Sequence, residues 1–265
     1  MATSLGTALI TGASSGIGEI YADRLARRGY DLILVGRNAE KLSTLAATLA
    51  QRTGRHVERI VADLGSAADL VRVEQRLGAD PGITLLVNSA GLIGGGPLSA
   101  GNVEAVSQML AVNITALTRL TTVAAKAFGD RGTGAIVNLA SAMAFIDAPP
   151  AAAYAASKAY VLNLTLSLDL DLKPKGVRVQ AVLPGYTRTA MIAGRSDIPD
   201  SYVMGVEDMV DAALAGFDQG ELVTIPSLRD PELYEAYASA RVALRSQLSL
   251  DEPAPRYGVG ERKVA

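Results

Sequence analysis

Apolar and polar positions along this chain alternate between short β-rich runs and longer helical stretches. Apolar runs at Thr7–Ile10, Asp31–Val35, Val57–Ala62, Ile83–Val87, Ala135–Leu139, Val177–Leu183 and Glu221–Ile225 predict strands. Several carry apolar residues at consecutive positions, as expected for strands covered on both faces. Between them, helical spacing predicts helices over Gly18–Arg28, Asn38–Gln51, Ser66–Leu77, Val103–Phe128, Ala152–Leu172, Val206–Phe217 and Pro231–Leu248. Asn38 is a plausible cap, and Leu42, Leu45 and Leu49 then share one face. Strand and helix alternating throughout imply an α/β fold, a doubly wound parallel sheet with helices on both faces. No composition break marks a linker, so one domain over residues 1–265 is expected. The polar tail 251–265 is expected either to fray or to pack on a neighbouring subunit.

Composition narrows the chemistry. The 265 residues include no cysteine and a single histidine, His56. Disulfides, thiolate metal sites, a cysteine nucleophile and multi-histidine metal sites are therefore excluded. The balance of 25 basic against 27 acidic residues, net −2, gives no electrostatic footprint for nucleic acid. Mean hydropathy is +0.23, but the longest charge-free stretch, Gly82–Val103, is broken by Pro97 and by Gly94, Gly95 and Gly96. It is too interrupted to span a bilayer. Met1–Gly6 has no basic residue ahead of the first apolar run and does not read as a secretory signal. A cytoplasmic protein is expected.

The segment Thr11-Gly12-Ala13-Ser14-Ser15-Gly16-Ile17-Gly18 lies at the first strand-to-helix junction. Glycines there allow a tight turn and let a pyrophosphate approach the helix N-terminus, whose free N–H groups and dipole favour anions. No lysine follows the last glycine, so it is not a P-loop. Gly12-Ala13-Ser14-Ser15-Gly16 also fits the Gly-x-Ser-x-Gly nucleophile elbow. A hydrolase built on Ser14 would need a later acid and a late histidine, and His56 does not supply that order. At the end of the second strand, Val35-Gly36-Arg37-Asn38 holds a guanidinium where NAD-binding folds usually carry a carboxylate. Arg37, helped by the Ser14 and Ser15 hydroxyls, would pair with a 2′-phosphate, which favours NADP(H) and leaves NAD(H) as the second choice.

In Tyr154-Ala155-Ala156-Ser157-Lys158, the tyrosine and lysine share a helix face. A nearby ammonium stabilises a phenolate and brings tyrosine closer to useful acid–base chemistry. Ser141 stands at the end of the fifth strand run, where its hydroxyl could polarise a carbonyl.

With these residues in order, the chain resembles a single-domain short-chain dehydrogenase/reductase over Leu5 to Ser227. The resemblance implies a Rossmann fold and a nicotinamide cofactor. It assigns Gly12, Gly16, Ile17 and Gly18 to the cofactor turn and Asp63, with Leu64, to the adenine. Asn88, Ala90 and Gly91 match the family's Asn-Asn-Ala-Gly segment, with Ser89 replacing its second asparagine. Pro184, Gly185, Thr187 and Thr189 match its nicotinamide clamp. Asn113, Ser141, Tyr154 and Lys158 would form a catalytic tetrad. Tyr154 would then donate a proton while hydride passes from NADPH to a carbonyl. Lys158 would lower the tyrosine's pKa and bind the nicotinamide ribose, and Asn113 would hold a water.

The substrate is less legible. Residues 186–206, with Tyr186, Met191, Ile192, Ile198, Tyr202 and Met204, are expected to form a lid over an apolar ketone or aldehyde. Met143, Ala144, Phe145 and the loop Leu92–Leu98 would add walls. The long helices around Val103–Phe128 and Ala152–Leu172 are apolar over much of their circumference, which suggests a homodimer or homotetramer. A catalytically idle NADP sensor or scaffold of the same fold is the alternative, opposed by the presence of Ser141, Tyr154 and Lys158 together.

Overall fold

A computed structural model describes residues 5–259. It divides into two compact units, Met1–Ser227 and Leu228–Ala265. The first unit is built on a seven-stranded parallel sheet: β1 (Thr7–Thr11), β2 (Asp31–Gly36), β3 (Val57–Val61), β4 (Ile83–Asn88), β5 (Gly134–Leu139), β6 (Val177–Val182) and β7 (Val223–Thr224). Their order is β3-β2-β1-β4-β5-β6-β7.

Consecutive apolar residues in the strands serve the two faces in turn. Ala8, Ile10, Leu32 and Leu34 pack toward α1 (Gly16–Arg27), α2 (Ala39–Thr53) and α7 (Val206–Gln219). Leu9, Ile33, Leu86 and Ile136 pack against α3 (Ala67–Ala79) and α5 (Leu117–Arg131). A third cluster joins Val161 and Leu162 of α6 (Ala152–Leu172) to Ala181 and Leu183. Asn38 caps α2, its side chain accepting from Lys41 N at 2.9 Å. The seventh strand is shorter than its apolar run suggests: only Val223 and Thr224 pair with β6.

One predicted helix is not continuous. The stretch expected over Val103–Phe128 is α4 (Val103–Leu110), a π-helical turn (Ala111–Ala116) and α5. Such a turn gains one residue and re-aims the side chains on it. Here it carries Asn113.

The second unit holds α8 (Pro231–Leu244), with Pro231 in its first turn and Asp230 as its cap. The helix predicted to run to Leu248 tightens after Leu244 into a 3₁₀ turn. Another such turn, Pro255–Tyr257, lies in the expected tail, of which 260–265 fall outside the described residues, as do Met1–Ser4. Among the described residues no helix is long and apolar enough to cross a membrane, and no cluster of His, Asp and Glu is arranged to hold a metal.

Candidate active site

Strand order reverses between β1 and β4, which opens a crevice at their C-terminal ends. The Thr11 hydroxyl oxygen fixes that crevice. It accepts from Ser89 N at 3.0 Å and from Ala90 N at 3.1 Å, and so ties the glycine-rich turn to the segment after β4. Gly12 has φ +68°, and a Cβ on it would lie 2.8 Å from the Ala90 Cα. Gly18 meets the same turn from the helix side, where a Cβ would fall 2.5 Å from the Gly12 carbonyl oxygen. These two positions therefore admit only glycine without backbone movement.

The crevice is a groove of about 220 Å³. Gly12, Ser14, Ser15, Gly16 and Ile17 form its floor at the start of α1, and Ser15 makes no side-chain cap to that helix. The helix N-terminus thus presents N–H groups to the groove. Arg37 lines one end and pairs with no carboxylate among the described residues. Asp63 and Leu64 line the adjoining wall, with the Asp63 carboxylate oriented by Gly65 N at 2.9 Å. Ala90 and Gly91 complete one side, and Thr189 covers Gly16 from the other. An open helix N-terminus, a free guanidinium and an oriented carboxylate along one groove fit a dinucleotide.

Other expected cofactor residues support the groove without lining it. Asn88 is buried in the sheet, where its amide donates to Asn138 Oδ1 and Thr121 Oγ1, both at 3.0 Å. The Pro184 carbonyl accepts from Ala142 N at 2.9 Å and from the Ser141 hydroxyl at 3.3 Å. The Thr187 hydroxyl donates to Gly185 O at 3.2 Å.

Ser141, Tyr154, Lys158 and Asn113 converge beside this groove. Ser141 follows β5, and its Oγ also accepts from Met143 N at 3.2 Å. Tyr154 and Lys158 are buried on α6. Burial pushes the Tyr154 phenol above its ordinary pKa, and a hydrogen bond with Ser141 works against the rise. Burial also pulls Lys158 down to about 8. Its ammonium donates to Leu139 O at 2.8 Å and lies 5.6 Å from the centroid of the Tyr154 ring. Sequence reasoning expected Lys158 to lower the tyrosine. The Ser141 hydrogen bond acts in the same direction as that expectation, and burial of the phenol outweighs it.

Gly91 joins the two halves. A Cβ there would lie 3.5 Å from Asn113 Oδ1 and 3.6 Å from Lys158 Nζ. The groove wall therefore touches the amide and the amine at one point.

Residues 6–198 match the family model described as short chain dehydrogenase. The chain belongs to the short-chain dehydrogenase family. This dehydrogenase is 46% identical to a short-chain dehydrogenase from Sphingobium yanoikuyae solved in complex with NADPH, with a TM-score of 0.91 over 96% of this chain and 100% of that one. It is 43% identical to the bulky-bulky ketone specific alcohol dehydrogenase from Comamonas testosteroni, with a TM-score of 0.90 over 96% and 99% of the two chains. It is also 34% identical to very-long-chain 3-oxoacyl-CoA reductase-B from Danio rerio, over 75% of this chain but only 66% of that longer protein.

The dehydrogenase site includes residues to which the sequence alone gave no place in the groove. Val112 lines it, beside Ser89 of the segment after β4 and Leu92 of the expected wall loop. The Leu92 backbone holds Asn113, and Ser157 Oγ lies 3.3 Å from the Asn113 amide while donating to Tyr154 O at 2.7 Å. Small polar residues one turn from a catalytic pair are the signal that could have found Ser157. The expected lid is closed on itself: Thr187 and Met204 form a bridge, with Met204 N bonded to Tyr186 O and Arg188 N to Met204 O, both at 2.9 Å. Arg188 and Arg195 face Asp200 and Asp197. His56 precedes β3, at the N-terminal edge of the sheet, and Ser14 follows β1 at the C-terminal edge. A strand length of roughly 16 Å separates those edges. No nucleophile–base pair can form between them.

Proposed function

We propose that this dehydrogenase reduces an apolar ketone or aldehyde with NADPH, and runs the reverse oxidation of the secondary alcohol. The observation that carries the reading is the meeting of Gly91, Asn113 and Lys158 at the groove wall, with Tyr154 and Ser141 beside them. A bound nicotinamide supplies the hydride. The protein's own residues do the rest. The Ser141 hydroxyl and Tyr154 phenol hold the carbonyl oxygen, and Tyr154 donates the proton to it as the alkoxide forms. Donors fixed by β5 and α6 need no reorganisation at that moment. Lys158, mostly protonated at neutral pH, binds the nicotinamide ribose and supplies positive charge behind the phenol. Asn113, clamped on Leu92, positions the chain of proton exchange toward solvent.

Arg37 favours NADP(H) over NAD(H), because it is an unpaired cation at the groove end where a 2′-phosphate would lie. The NADPH complex of the Sphingobium relative supports the same choice. Asp63 and Leu64 take the adenine, and Pro184, Gly185, Thr187 and Thr189 the nicotinamide side. The bulky-ketone specificity of the Comamonas relative supports a ketone with two large substituents. The exposed Met191 and Tyr186 of the lid and Phe145 after Ser141 suit such a substrate. Val103, Tyr160 and Leu170, exposed on the long helices, support assembly as a homodimer or homotetramer.

The test is oxidation of NADPH against a panel of aryl, alkyl and bulky ketones and aldehydes, with NADH as control. Turnover is expected with apolar ketones and NADPH. No turnover with any carbonyl compound, despite tight NADPH binding, would favour an idle sensor.

A further inference from the structure

Tyr154 and Lys158 hold two positions of a longer stripe on α6. Tyr154, Lys158, Val161 and Thr165 follow one another at helical spacing, so they share a face, and all four are buried. In the proposed reaction the first two carry the proton chemistry, and Val161 belongs to the core. Thr165 lies two turns beyond the lysine, fully buried and outside the lining of the dinucleotide groove.

A hydroxyl and an amide meet there. Asn138 Nδ2 donates to Thr165 Oγ1 at 3.0 Å, and the Thr165 hydroxyl donates on to Val161 O at 2.8 Å. Asn138 lies on β5 and is fully buried. Its Oδ1 accepts from Asn88 Nδ2 of β4 at 3.0 Å and from the Thr121 hydroxyl of α5 at 3.5 Å. One side chain thus joins two strands and two helices inside the core.

Taking an amide and a hydroxyl out of water costs free energy that a pair of apolar side chains would not. What their bond adds is direction. The rest of this seam is Ala140, Val161, Leu162, Ala181 and Leu183. Apolar contact of that kind is non-directional and tolerates a helix that slides slightly along its strand. A hydrogen bond weakens steeply as it is misaligned. This one lies three residues before Ser141 on the strand and seven after Lys158 on the helix. It therefore ties the strand that carries the serine to the helix that carries the tyrosine. Another polar link along the seam, Lys158 Nζ to Leu139 O at 2.8 Å, must serve the nicotinamide ribose as well.

We propose that Asn138 and Thr165 are positioning residues for carbonyl reduction: their hydrogen bond sets where α6 lies along β5, and with it the spacing of the Ser141 hydroxyl and the Tyr154 phenol around a carbonyl oxygen. The proposal rests on the reductase reading above. Neither residue lines the groove, so both act through the two that hold the carbonyl. A misplacement of about 1 Å caused far from the chemistry can cost on the order of 10²-fold in rate.

The test compares Thr165→Val, which keeps the shape and removes the hydroxyl, with Thr165→Ser, which keeps the hydroxyl. Steady-state rates are measured with NADPH and a ketone that the parent reduces, beside NADPH affinity by fluorescence titration. Thr165→Val should lower kcat at least tenfold, with KM for the ketone and NADPH affinity within threefold of the parent. Thr165→Ser should keep kcat within threefold. Thr224→Val is the control for loss of a buried hydroxyl elsewhere, one that accepts from Gln180 Nε2 at 2.8 Å. It should melt earlier than the parent and keep kcat within twofold. If Thr165→Val does not fold, judged by circular dichroism, Thr165→Ala is read in its place. Parent-like kcat in the variant without the hydroxyl, an equal loss in Thr165→Ser, or an equal loss in Thr224→Val overturns the proposal. A parent that reduces no carbonyl compound overturns the reductase reading, and this proposal with it.

Discussion

Asn113 closes a ring of two hydrogen bonds with the backbone of Leu92: Leu92 N donates to Oδ1 at 2.8 Å, and Nδ2 donates to Leu92 O at 2.9 Å. An amide is the one short side chain that offers an acceptor and a donor side by side. The π-helical turn over Ala111–Ala116 is what aims it.

Asn113→Asp should therefore harm more than its size suggests. The donor facing Leu92 O becomes a carboxylate oxygen, which sets two acceptors against each other in a buried place. We expect a loss of about 2 kcal/mol or more in stability and a fall in turnover, read by denaturant melts and steady-state rates. Asn113→Ala should cost less stability than the aspartate. Equal stability of Asn113→Asp and the parent would show that the Leu92 clamp carries little energy.

That clamp also marks the limit of what the sequence reveals. The strands were legible because a sheet covered on both faces demands consecutive apolar residues, as in Leu32–Val35 and Ile83–Val87. The limits of α6, Ala152–Leu172, match the apolar pattern at both ends. The break at Ala111–Ala116 was not legible. A one-residue widening barely disturbs apolar spacing over six residues, and the Leu92 backbone that Asn113 bonds from this turn lies 21 positions away. Similarly, Asn88 carries the chemistry of a ligand contact, yet its neighbours Asn138 and Thr121 come from β5 and α5, and only folding shows that they absorb it.

Gly12→Ala tests the groove floor. At φ +68°, with a Cβ 2.8 Å from the Ala90 backbone, the methyl cannot be housed by a side-chain shift. Destabilisation of at least about 2 kcal/mol is expected, together with loss of dinucleotide binding. Gly54→Ala is a control: its φ is also positive, +67°, but no atom lies within 4 Å of its Cβ position. It should cost only the backbone strain, and cofactor affinity should not change.

Lys158 makes a prediction about pH. Burial lowers it from 10.5 to about 8. Between those values the unfolded chain holds a proton that the folded chain has released, so this lysine's contribution to stability rises with pH across that window. Below pH 8 the lysine weighs fully against the fold, by roughly 3 kcal/mol. Lys158→Met should then be inactive yet at least as resistant to denaturant as the parent at pH 7, with its relative advantage shrinking toward pH 10. An advantage that grows with pH would contradict the assignment.

Arg37→Asp addresses the cofactor. A cation that attracts a 2′-phosphate becomes an anion that repels it. KM for NADPH should rise at least tenfold, with KM for NADH little changed. An unaltered preference would remove Arg37 from the phosphate site.

The most direct measurement concerns Tyr154. In Tyr154→Phe the ring and its packing remain, and the proton donor is lost. With NADPH and an apolar ketone reduced by the parent, turnover should fall by about 10²–10⁴-fold, while NADPH affinity, read by fluorescence titration, stays within twofold. Full turnover in Tyr154→Phe would contradict the account, because the proton would then come from elsewhere.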